Sequence, residues 1–222
     1  MLAASTLLLL LFGWVYKVSC YQISPINILK NRTVASDGTT IAFEYPTDIA
    51  LNKLILSIDR DPLKGFLVNF GGKKNARLTI WTPFLPDSGL YVLRQIHAHW
   101  GNNIRDFGSE HFINGVPYTG EKYTSIDEAM KTLDGLAIIA VFIQVDPDTQ
   151  SGHPAFDSFK KLLNSKKSLT DEKDLFHPDS LFPENRAFYS YYGSMTGPEE
   201  WNYRAQWMVM EAPLKVAVED VR

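Results

Sequence analysis

Gln95-Ile96-His97-Ala98-His99-Trp100-Gly101 is the stretch on which the reading of this chain turns. It ends a run, Tyr91 to Trp100, that reads as a β-strand. Positions two apart on a strand share one side, so His97 and His99 project together. Two neutral imidazoles at that separation can reach one zinc ion at about 2.0–2.1 Å. A lone His-x-His pair is weak grounds, because polar strand faces carry such pairs without any metal. The flanks add to it. Gln95 shares the histidines' side and offers an amide oxygen to an imidazole N–H, the usual device for orienting a metal-bound histidine. Beyond lies Gly108-Ser109-Glu110-His111, and far downstream Tyr192-Gly193-Ser194-Met195-Thr196 brings a hydroxyl that a carboxylate can orient.

Around this core the texture is of short β-rich stretches separated by turn residues. Thr40 to Tyr45, Lys53 to Ser57, Arg77 to Trp81, Leu136 to Val145 and Ala205 to Met210 read as further strands. Asp61-Pro62, Gly71-Gly72, Pro86-Asp87-Ser88-Gly89 and Asp146-Pro147-Asp148 supply turn chemistry between them. Leu136 to Val145 (LAIIAVFIQV) is almost continuously apolar, which suits a strand buried on both faces. Helical signals are few: Ser125 to Thr132, capped by Ser125, and Pro154 to Leu163, with apolar residues at helical spacing. The expected fold is mostly β (α+β), a large twisted sheet with a few surface helices.

The 222 residues, 45% hydrophobic and 21% charged, are enough for one domain with a sizeable core. A net charge of -3 with scattered lysine pairs gives no grounds for a nucleic-acid surface or a polybasic membrane anchor. Residues 1–20 stand apart. The apolar run Leu2 to Tyr16 meets Lys17 and then the small-residue stretch Val18-Ser19-Cys20, which reads as a secretory signal peptide cleaved near Cys20. A membrane-spanning helix needs about 20 apolar residues, so an uncleaved anchor is the weaker reading. The division is therefore 1–20 signal peptide and 21–222 folded domain, with an extracellular destination and no membrane association beyond the leader. Cys20 is the single cysteine, and a domain of this size folds without a disulfide. Asn31-Arg32-Thr33 is an N-glycosylation sequon that secretion makes usable, with Asn31 the acceptor.

Gln-x-His-x-His-Trp-Gly followed by Gly-Ser-Glu-His closely resembles the α-carbonic anhydrase family. Further matches fall in that family's order: Ser24-Pro25-Ile26-Asn27-Ile28, Asp134-Gly135-Leu136-Ala137, Leu181-Phe182-Pro183-Glu184 and Tyr192-Gly193-Ser194-Met195-Thr196. The resemblance covers nearly everything after the leader. It implies a large, mainly antiparallel sheet and zinc-dependent reversible hydration of carbon dioxide to bicarbonate. By the resemblance His97 and His99 are the first two zinc ligands, and Gln95 is the partner of His97. Thr196 is the threonine beside the attacking oxygen, and Glu110 is the carboxylate that fixes its proton. His111 is a structural histidine. Ile138, Met195, Ala205 and Trp207 line up with the apolar wall against which carbon dioxide rests.

The chain departs from the pattern where the family's third histidine belongs, in a segment like Glu-Leu-His-Leu-Val-His. Here the sequence runs Tyr118-Thr119-Gly120-Glu121-Lys122-Tyr123, with that segment missing between Tyr118 and Lys122. A central strand is expected to be deleted with it, leaving backbone groups beside it to find other partners. His153 and His177 are expected on exposed loops away from the site. The domain is also expected to be truncated at both ends, and the family's proton-shuttle histidine is absent. Glu121 and Glu110 are candidate oxygen ligands in place of the third imidazole. The expectation is a secreted, carbonic anhydrase-related protein of impaired or absent hydratase activity, acting through its surface on an unknown protein partner. The alternative is an active zinc enzyme that uses a substitute ligand, or whose sequence here lacks a segment.

Overall fold

A computed structural model describes residues 23–35, 41–44, 55–61, 65–71, 79–81, 91–100, 109–115, 120–123, 135–149, 152–154, 156–157, 178–196 and 203–221. Within them lie fourteen strands. Seven of the ten ladders between them are antiparallel, as expected for this sheet. The largest sheet has six strands: β14 (Leu214–Val216), β11 (Ile143–Val145), β9 (Gly120–Tyr123), β7 (Gln95–Trp100), β4 (Gly65–Gly71) and β3 (Ile55–Asp61), in that order. A second has β10 (Ala137–Ala140), β13 (Arg204–Met210) and β12 (Phe188–Ser194). A third joins β2 (Ala42–Glu44), β5 (Thr79–Trp81) and β6 (Tyr91–Val92), and a small parallel pair joins β1 (Asn27–Ile28) to β8 (Phe112–Ile113).

The apolar run expected as one strand is divided. Ala137–Ala140 pairs in parallel with β13, and Ile143–Val145 pairs in parallel with β14. Both partners break at the same level, because β13 ends at Met210 and Pro213 interrupts the run before β14. Proline has no N–H to give a ladder. The Leu214 N–H donates to the Phe142 carbonyl at 2.7 Å and carries the pairing across the break. The expected Tyr91 to Trp100 strand is likewise split, Tyr91–Val92 and Gln95–Trp100 going to different sheets.

β10 and β13 carry the core on both faces. Ala137, Ile139, Val141, Met208 and Met210 belong to one apolar cluster. Leu136, Ile138, Ala140, Phe142, Ala205, Trp207 and Val209 belong to the other. This is the period-two alternation of a strand, with both sides apolar because both sides are covered.

The place beside β7 is taken rather than vacant. β9 pairs antiparallel with β7 over four residues and, among the described residues, reaches β11 through Gly120, opposite Ile143. Of the expected helices, Ser125 to Thr132 lies outside the described residues; in the other, Pro154, Phe156 and Asp157 are helical and the remainder lies outside them. Among the described residues no helix is long and apolar enough to cross a membrane.

Candidate metal centre and its surroundings

The centre is built from β7 outward. In the ladders of β7, Gln95 stands opposite Asn69, and His97 opposite Leu67 on one side and Tyr123 on the other. His99 stands opposite Glu121. Directly opposed positions share one face of a sheet, and so do positions two apart along a strand. Gln95, His97, His99, Glu121 and Tyr123 are therefore positions of a single face. Side chains on β7 other than Ile96, and those of β9, lie outside the described set. Among the residues that are described, no group of three or more His, Cys, Asp and Glu gathers to hold a metal.

His111 is placed in detail. It is fully buried, and its Nε2 lies 2.6 Å from the Tyr191 hydroxyl. Its ring packs on Trp207 at a centroid distance of 4.7 Å. The Tyr191 hydroxyl lies 2.8 Å from Ser24 Oγ, and the Ser24 N–H donates to Ser194 Oγ at 2.8 Å. Ser194 Oγ in turn donates to the Met195 carbonyl at 2.7 Å, while Trp207 Nε1–H donates to the Ser194 carbonyl at 2.8 Å. Buried polar groups require such partners, and here they form one chain of bonds. The chain fixes two otherwise unrelated segments: Glu110 immediately precedes His111, and Thr196 follows Ser194 by two positions. Both are half-buried.

Ile138, Met195, Ala205 and Trp207, placed on the apolar wall by resemblance, fall together in one cluster and are each 7% exposed or less. They stand with Val209, Phe142 and the packed rings of Tyr189 and Tyr191. Asn31 is exposed on a short 3-10 turn, Lys30–Arg32, where the Thr33 hydroxyl donates to the Lys30 carbonyl at 2.8 Å.

His153 is half-buried rather than an exposed loop residue. Its N–H donates to Asp220 Oδ2 at 2.9 Å, and its ring meets Phe156 edge-on. The same carboxylate oxygen accepts from the Ala217 N–H at 2.9 Å, so the end of the chain is clipped over this segment. His177 lies outside the described residues.

Sequence reading passed over Tyr191 and the bonding roles of Ser24 and Ser194. One signal was present: in Phe188 to Ser194, Tyr189, Tyr191 and Gly193 alternate with Ser190 and Tyr192, which marks an inward face on β12. Glu121 is a candidate ligand by sequence, but its place opposite His99 is not readable there, because Gly-Glu-Lys is poor strand sequence.

A family model described as eukaryotic-type carbonic anhydrase matches residues 14–222, beginning inside the stretch read as the leader. The chain is 34% identical over 210 residues to carbonic anhydrase 1 of Monodelphis domestica, covering 89% of this chain and 74% of that protein. It is 32% identical over 206 residues to carbonic anhydrase 7 of Mus musculus, covering 87% and 72%. Against carbonic anhydrase 3 of Rattus norvegicus it is 34% identical over 142 residues and spans only 52% of that relative's length. With a match running over nearly the whole chain, and a mainly antiparallel sheet that sets its histidine pair on an inner strand, the protein belongs to the eukaryotic-type carbonic anhydrase family.

Proposed function

We propose that this chain is a secreted carbonic anhydrase-family protein whose capacity to hydrate carbon dioxide is greatly reduced. The observation that carries the reading is the fate of its imidazoles. Of five histidines, two sit on β7, His111 and His153 are engaged elsewhere, the first between Tyr191 and Trp207 and the second beside Phe156, and His177 lies outside the described residues. No histidine occurs in β9, the strand that adjoins the pair.

Zinc held by three histidines supplies water acidic near pH 7, the value known for carbonic anhydrases generally. In this chain His97 and His99 are the imidazoles available to hold such an ion, and Gln95 the residue placed to orient His97. Glu110 and Thr196 would steer a proton at the threonine hydroxyl. The cluster of Ile138, Met195, Ala205 and Trp207 would offer carbon dioxide a dry surface. What fails is the donor set, two imidazoles where the chemistry is tuned by three.

Secretion is proposed from the apolar run Leu2 to Tyr16, and a glycan from the exposed sequon at Asn31. Carbon dioxide and bicarbonate are the substrates in so far as turnover remains, and a protein partner of unknown identity is the occupant proposed for its surface. Stopped-flow carbon dioxide hydration by the purified, zinc-supplemented protein is the test. A rate close to the uncatalysed one is expected; turnover at the pace of a fast hydratase refutes the reading.

A further inference from the structure

We propose that the juxtaposition of His97 and His99 on β7 with Glu121 on β9 is a divalent transition-metal site of the two-histidine, one-carboxylate class. The inference rests on the reading that this sheet face is the family's metal face, and it assigns the third place to a residue particular to this chain.

The register is the ground for it. Glu121 pairs with His99, and His97 lies two positions along the same strand, beside Tyr123. Directly opposed positions of an antiparallel ladder have Cβ atoms about 4.5–5.5 Å apart, and diagonal ones about 7–8 Å. Ligand bonds of about 2.0–2.2 Å to nitrogen and oxygen span such gaps. A one-residue slip of β9 would send Glu121 to the opposite face and bring Gly120 or Lys122 into its place, and neither offers a ligand. Of the four residues of Gly120–Tyr123, Glu121 and Tyr123 share the histidines' face, and of these the carboxylate is the ordinary zinc ligand.

Two imidazoles and a carboxylate form a recognised zinc set, and also one used by non-haem iron. Exchanging an imidazole for a carboxylate lowers the net charge of the site by one. Metal retention and weak hydratase activity are thus compatible in one chain, and they separate experimentally.

The test uses the full chain, stripped with chelator and titrated with Zn2+ and with Co2+. One equivalent is expected to bind, with the visible absorption of low-coordinate Co2+. Removing an outer partner of a metal ligand costs about 10- to 100-fold in affinity, so E121Q should cost more than about 100-fold while leaving the circular dichroism unchanged. H99A should do the same, and E121H should restore binding with an altered Co2+ spectrum. If E121Q binds like the wild type while H97A and H99A lose the metal, the assignment of Glu121 is overturned and the histidine pair stands. If wild type binds no metal, or if none of the three removals matters, the assignment fails together with the metal reading beneath it.

Discussion

Tyr191 offers one hydroxyl to two buried neighbours, His111 Nε2 at 2.6 Å and Ser24 Oγ at 2.8 Å. Its ring also lies parallel to Trp207, 6.1 Å between centroids, in the cluster that holds Ile138 and Ala205. A phenylalanine there keeps the ring and removes both bonds. Leaving a buried polar group without a bond it had costs about 1–3 kcal/mol. The Y191F variant is therefore expected to lose stability in that range, and a loss of about 1 kcal/mol lowers the melting temperature of a domain this size by roughly 2–4 °C. Urea denaturation gives the measurement, and an unchanged midpoint would mean that the bonds contribute nothing net. The bonds themselves were not legible in the sequence, although the alternation of β12 marks Tyr191 as inward. Ser24 and Tyr191 stand 167 positions apart, and serine, tyrosine and histidine are each common as solvated residues. His97 and His99 were legible because a two-residue spacing on a strand is a local rule. Glu121, the ladder position opposite His99, stood just beyond that rule, since pairing across strands is set by the whole sheet.

At the scale of elements, the strands that sequence reading passed over are β1, β4, β8, β9, β12 and β14. β4 is a seven-residue stretch bounded by glycines, Gly65–Gly71, and those glycines weigh toward turns although all the residues between them but Asn69 are apolar. β9 is strand by virtue of β7, its own residues having little preference for extended structure. Another small element, the 3-10 turn Lys30–Arg32, is tied to the end of β13 by electrostatics. Lys30 Nζ meets Glu211 Oε1 at 2.7 Å, and the Tyr189 hydroxyl donates to the same oxygen at 2.9 Å. The hydrogen bond from Lys30, followed by that from Tyr189, holds the Glu211 carboxyl below its ordinary range, and the bond to Glu211 holds the Lys30 ammonium above its own. The depressed carboxyl contributes stability that is present above its unfolded pKa and lost as pH falls through the folded value. The raised ammonium contributes stability present below the ordinary lysine pKa and lost as pH rises through the folded one. Around neutrality both contributions are in place. The difference in urea midpoint between wild type and E211Q is thus expected to be small but constant across neutral pH, as suits an exposed pair, and to close on the acid side below the usual carboxylate range. A difference that persists unaltered into strong acid would show that Glu211 acts through something other than its charge.

Across the whole molecule, the described core centres on β10 and β13, and the candidate metal face on β7 and β9. β10 and β13 carry apolar residues on both sides, with Ile138, Met208 and Trp207 at 1% exposure or less. Of the strand that bears the histidine pair, Ile96 is the residue whose side chain is described, and it is buried in the first cluster. The fold was legible for this reason: the apolar run from Leu136 to Val145 announces a buried centre whatever happens at the metal face. The division of that run between two sheets was not legible, because it depends on Pro213, which separates its two partner strands more than sixty positions away. A core carried on both faces of β10 and β13 makes metal a modest contributor to folding. Zinc-finger domains unfold without metal because they have almost no core of their own, whereas this chain should stay folded when stripped. Binding to the native state then adds stability only by mass action, about 2.7 kcal/mol at a free concentration a hundredfold above the dissociation constant. At roughly 2–4 °C per kcal/mol, saturating zinc should raise the melting temperature by about 5–11 °C over the chelated protein. E121Q should show a smaller rise under the same conditions and an unchanged melting temperature in chelator. Collapse of the wild type to an unfolded chain on chelation would mean instead that the ladder between β7 and β9 is held by metal, and that the core clusters do not sustain the fold alone.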